Sequence, residues 1–137
     1  MNQFVVDAST VLSWCFPDEH AEEAQRVSEL FKRGGAAIVP AFWAHEVLSA
    51  LLVGEKRKRI SASLIKSFLD DLAVLPITLD VCDPAIVFDR IHSLCHEHGL
   101  TPYDAAYLEL ATRKGLPLAT LDRDLIRASN AAAVKLL

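Results

Sequence analysis

The chain has 137 residues, 52% of them hydrophobic and 23% charged, which is enough apolar material for one ordinary domain and excludes a disordered chain. Eighteen acidic residues against fourteen lysines and arginines leave a formal charge of −4. That balance excludes a broad basic coat for nucleic acid, though not a local contact. No apolar run approaches bilayer length, and MNQFVVDAST does not read as a secretory signal. The three scattered cysteines (Cys15, Cys82, Cys95) form no Cys-x-x-Cys pair and suit a reducing compartment, so a cytoplasmic protein with no membrane partner is expected.

In chain order, Phe4-Val5-Val6 reads as a short buried strand, followed by a helical pattern from Ser9 to Phe16 that breaks at Pro17. Ala21 to Lys32 has the spacing of an amphipathic helix, with Ala24, Val27, Leu30 and Phe31 on one side and Gly34-Gly35 ending it. Ala37-Ile38-Val39 is a second strand, stopped by Pro40. Phe42 to Val53 and Leu64 to Leu72 are apolar helices separated by Lys56-Arg57-Lys58-Arg59. Pro76 precedes a third strand, Ile77-Thr78-Leu79. The helices Ala85 to His98 and Tyr103 to Lys114 are closed by Gly99 and Gly115. Leu118-Ala119-Thr120 is a fourth strand, Leu125 to Ser129 a short helix, and Val134-Lys135-Leu136 a possible fifth strand. Strands alternating with helices predict a three-layer α/β/α arrangement around a central parallel sheet, with residues 1–137 forming one domain.

Ligands of open parallel sheets bind at the carboxyl ends of the strands, and acids fall there. Asp7 follows the first strand and Asp122 comes two residues after the fourth. Asp104 sits in the first turn of the helix that Thr101 and Pro102 introduce, and Glu46 lies about one turn into its own helix. Taken singly, Asp7 and Asp122 read as helix N-caps, Asp104 as part of a capping box, and Glu46 as an exposed helix residue. A cap and a ligand are compatible roles for one carboxylate. Four converging carboxylates cannot all stay ionised without a cation, and an all-oxygen set suits Mg²⁺ or Mn²⁺. Such a site performs phosphodiester hydrolysis through an activated water.

The segments VVDASTVLSWCFPDE, HEVLSAL, TPYDAAYLELA and ATLDRDL carry these acids. In order and spacing they resemble the PIN-domain nucleases, and within them the small VapC-type toxins of toxin–antitoxin pairs. The resemblance implies a doubly wound parallel sheet and a Mg²⁺- or Mn²⁺-dependent endoribonuclease that cuts structured RNA such as transfer or ribosomal RNA. It also implies inhibition by a cognate antitoxin and a homodimer. By position, Asp7, Glu46, Asp104 and Asp122 match the family's acidic quartet, and Asp124 matches a further acid found in some members. Ser9 and Thr120 match hydroxyls that orient the carboxylates or the water. Ser49 departs from the family, many members carrying Asn there.

Other features keep two readings each. The run Lys56 to Arg59 is either an attractor of RNA phosphates or a solvated hairpin, and Arg123 and Arg127 either neutralise substrate or are plain surface. His92 and His96 share a helix face, but Cys95 and His98 point elsewhere, so surface histidines are expected rather than zinc. His45 lies beside Glu46, where it is a candidate neighbour of the cleft. Trp43, Val47, Leu48 and Leu51 exceed one buried stripe, so their helix either packs a partner or lies deep in the core. Two further function classes remain: an aspartyl phosphatase with Asp7 as nucleophile, although Ser9 stands where a second Asp is wanted, and a PIN-like module that binds RNA without cutting it.

Overall fold

Phe4-Val5-Val6 becomes an inner strand of an all-parallel sheet, as its unbroken apolar character requires. The computed structural model describes residues 2–16 and 21–137; the break expected at Pro17 lies outside the described residues. The strands are β1 (Gln3–Val6), β2 (Ala36–Pro40), β3 (Ile77–Asp80) and β4 (Leu118–Ala119), side by side in the order β3-β2-β1-β4. Val5 pairs with both Ile38 and Leu118 in register, and Val5 and Val6 are wholly buried.

Helices cover both faces of the sheet in three layers. After β1 come α1 (Ala8–Leu12) and α2 (Glu22–Lys32); after β2 come α3 (Trp43–Lys56) and α4 (Ala62–Ala73). After β3 the chain forms α5 (Pro84–Ile86), a π-helical turn (Val87–Ile91), α6 (His92–His98) and α7 (Pro102–Lys114); α8 (Arg123–Ala131) follows β4. Gly99 and Gly115 close α6 and α7 in the left-handed conformation that a residue without Cβ adopts freely. The core joins β1 to Trp43, Val47 and Leu51 of α3 and to Tyr107 and Leu108 of α7.

Several boundaries differ from the sequence reading. The first helix ends at Leu12, and irregular turns follow it. Pro40 does not stop β2 but closes it, opposite Asp80, at the last position where a missing N–H is tolerated. Residues 85–98 are not uniformly α-helical, because the π turn interrupts them. Thr120 leaves the strand, since its side chain is drawn into the bonds described below. The expected fifth strand is only a bridge between Leu118 and Leu136, whereas the last helix runs longer than expected, to Ala131.

The strand order positions the site. From β1 the chain winds outward through β2 to β3, then crosses back to place β4 on the other side of β1. The direction of winding therefore reverses between β1 and β4. Connections diverge there and leave a crevice at the carboxyl ends of those two strands. Asp7 and Asp122 immediately follow β1 and β4.

On the far side, Arg113 of α7 ties its helix to the sheet edge. Its guanidinium donates to Asp80 (2.6 Å) and to the buried Glu109 (2.9 Å).

Candidate active site

The backbone of Asp7 extends the β1–β4 ladder, its N–H donating to the Ala119 carbonyl (3.0 Å). Its side chain caps α1: Oδ1 accepts from the Thr10 N–H (3.2 Å), the Thr10 hydroxyl (3.2 Å) and the Ser9 hydroxyl (2.6 Å). Oδ2 accepts from Thr120 Oγ1. Asp7 is only 4% exposed, and this burial raises its pKa against the opposing pull of those hydrogen bonds.

The two hydroxyls also accept. Ser9 Oγ takes the N–H of Leu121 (3.1 Å) and Thr120 Oγ1 that of Asp122 (3.0 Å). Both hydroxyls thereby stitch the start of α1 to the β4–α8 connection. Asp122 in turn caps α8, with Oδ1 accepting from the Leu125 N–H (2.9 Å). The cap readings of Asp7 and Asp122 are thus physically satisfied, and each cap fixes a carboxylate at the crevice.

Glu46 stands in the first turn of α3 and Asp104 in the first turn of α7, whose N-cap Thr101 accepts the Asp104 N–H (3.2 Å). Tyr107, one turn beyond Asp104, donates its hydroxyl to Glu46 Oε1 (2.5 Å). Burial raises the Glu46 pKa, the tyrosine bond lowers it, and the negative charge of Asp7 raises it again. Burial and the charges of Asp122, Asp7, Glu46 and Asp124 together push Asp104 up to about 6. The four other candidate acids thus each raise Asp104, which puts it within reach of their charge. Asp124 is a rim residue, exposed and within 3.5 Å of Arg127.

The donor set is made of carboxylates and hydroxyls, which fits a hard divalent cation. The carboxylates are not drawn into a closed cage: among the described residues, no group of three or more His, Cys, Asp or Glu is set to hold a metal.

The remaining candidates divide. Arg57 and Arg59 reach the neighbourhood, lining with Ser9 and Leu121 a cavity of about 600 Å³. Arg59 also lies over the Phe16 ring (4.5 Å). Arg123 is exposed at the start of α8, while Arg127 is occupied by the His98 carbonyl (3.0 Å). His45 and Ser49 are exposed on α3. His92 and His96 are exposed with ring centres 4.9 Å apart, whereas His98 is buried and so is not the surface histidine expected.

Thr10 and Tyr107 escaped the sequence reading. Thr10 is signalled by the Asp-x-x-Thr cap spacing, and Tyr107 by standing three residues after Asp104, hence on its face of α7.

The sequence profile of the PIN domain matches residues 4–131. Over 123 residues the chain is 33% identical to Ribonuclease VapC3 of Pyrobaculum aerophilum, covering 90% of this chain and 92% of that protein. The crystal structure of PAE2754 from the same species shares the fold, with a TM-score of 0.70 and 22% identity over 93% of this chain and 84% of that one. With the matched profile spanning nearly its whole length, the chain belongs to the PIN-domain family, as a member of the VapC type.

Proposed function

We propose that this chain, read as one nuclease domain over residues 1–137, is a Mg²⁺- or Mn²⁺-dependent endoribonuclease. In this reading it is the toxin of a toxin–antitoxin pair, restrained by a small cognate antitoxin. The observation that carries the reading is the fixing of Asp7 and Asp122 side by side at the crevice where the strand order reverses, with Thr120 joining the Asp7 carboxylate to the Asp122 N–H. The relative named a ribonuclease supports the choice of RNA as substrate.

A bound Mg²⁺ or Mn²⁺ would supply Lewis-acid polarisation of the phosphate and would make the attacking water more acidic. Asp7, Glu46, Asp104 and Asp122 would hold it, with Asp124 contributing its charge from the rim. The chain's part is positional. Asp7 is fixed by four donated hydrogen bonds and Asp122 by its cap, so neither carboxylate has to be ordered when the ion arrives. Tyr107 orients Glu46, and Ser9 and Thr120 orient Asp7. Arg57, Arg59 and Arg123 offer phosphate contacts around an otherwise acidic mouth.

The apolar surplus on α3 resolves into a buried side (Trp43, Val47, Leu51) and an exposed side (Leu48, Leu52, Val53). The exposed side supports burial against a second copy or the antitoxin. Three thiols suit a reducing cytoplasm, and among the described residues no helix is long and apolar enough to cross a membrane.

The test is cleavage of transfer or ribosomal RNA by purified protein supplied with Mn²⁺ or Mg²⁺. Cleavage is expected to stop in EDTA and in Asp7→Asn and Asp104→Asn. Undiminished cleavage by both variants would remove the site assignment.

A further inference from the structure

The carboxyl edge of the sheet holds a second cavity, of about 300 Å³, that the carboxylates above do not use. Phe42, Tyr103, Val87, Ile91, Asp80 and Glu109 are among its walls. Tyr103 directly precedes Asp104, yet 59% of it is exposed. Its ring meets Phe42 edge-to-face (5.2 Å), Phe42 meets Tyr107 in the same way (5.8 Å), and Tyr107 holds Glu46. An unbroken aromatic series thus runs from the carboxylates to the cavity. Val87 and Ile91 belong to the π-helical turn, a costly geometry that recurs at functional sites.

The chemistry of the walls selects the occupant. Asp80 and Glu109 are the charged residues of the lining; both already accept from Arg113 and Glu109 is buried, so Asp80 is the carboxylate with lone pairs left to receive a further donor. Two carboxylates against one guanidinium leave this wall net negative, which disfavours an anion such as a phosphate. A flat, neutral heterocycle with an amino group is suited, through stacking on tyrosine and donation to carboxylate. The volume lies at the small end of ligand pockets, which fits one base rather than a helix or a peptide.

We infer that this cavity receives an unpaired nucleobase of the RNA, stacked on Tyr103, beside the bond to be cut. The inference rests on the ribonuclease reading, and adenine, cytosine or guanine is preferred to uracil.

Binding is measured without turnover, in the Asp104→Asn protein with Mg²⁺, using short single-stranded RNAs that carry the fluorescent base 2-aminopurine. Tyr103→Ala is expected to weaken binding by roughly 5- to 150-fold and to abolish quenching of the probe, whereas Tyr103→Phe retains both. Because Tyr103 is exposed, the thermal midpoint should hardly move, which separates a lost contact from a lost fold. Equal affinity and quenching in Tyr103→Ala overturns the pocket, as does failure of every RNA to bind. Wild-type protein that binds and quenches but never cuts overturns the ribonuclease reading and leaves the pocket standing. Wild-type protein that cuts, with Tyr103→Ala keeping the same KM and base preference, does the reverse.

Discussion

Asp7 caps a helix, spans two strands and, in the proposed enzyme, holds a cation, all with one carboxylate. Its hydroxyl partners make that combination possible. Thr120 is 4% exposed and joins Asp7 Oδ2 to the Asp122 N–H, so Thr120→Val leaves two buried groups unsatisfied without changing volume. Roughly 2 kcal/mol of stability should be lost in urea unfolding, and Thr120→Ser should keep most of it. Tyr107→Phe removes only the hydroxyl that orients Glu46. Its metal affinity or cleavage rate is expected to fall about 10- to 100-fold with the fold intact, read by calorimetry and RNA cleavage. The placement of the acids was legible in the sequence because each follows a strand or opens a helix. Tyr107 was not, because its partner lies 61 positions away and only the tertiary fold brings them together.

The helices and their glycine caps were readable from periodicity, since local propensity and the buried face agree. Two features escaped and one strand was read a residue too long, each through contacts that periodicity does not encode. The π turn from Val87 to Ile91 carries the same apolar spacing as the α-helices around it. β4 is short because Thr120 turns to Asp7, and the last apolar run makes one bridge instead of a strand. The ion network of Arg113 joins α7 to β3 across 33 positions, beyond any local pattern. Arg113→Ala would strand Glu109, whose side chain is 3% exposed, and Asp80, at 12%. Uncompensated buried charge of this kind costs roughly 3–5 kcal/mol, which chemical denaturation of the variant should show.

Across the whole molecule, stability is set against ion binding. Burial raises Asp7, Glu46 and Asp104, so the native protein without metal holds protons more tightly than the unfolded chain. Their contribution to stability is full below the unfolded carboxylate value and is lost as pH climbs; for Asp104 the window runs from 3.8 to about 6. Above it the fold carries uncompensated negative charge that a divalent ion, in the proposed enzyme, would offset. Thermal scans should therefore show a larger gain in Tm on adding Mn²⁺ at about pH 7.5 than at about pH 5. An equal gain at both would uncouple the carboxylates from the ion. The bond from Thr120 to Asp7 crosses 113 positions, and that span also orders events in time. Neighbouring helices can pair early, but β1 and β4 meet only after a long loop has closed, which is the slow part of folding a parallel sheet. In the proposed enzyme the carboxylates would thus be among the last groups to assemble, and a newly made chain would pass through a harmless interval before it could cut anything.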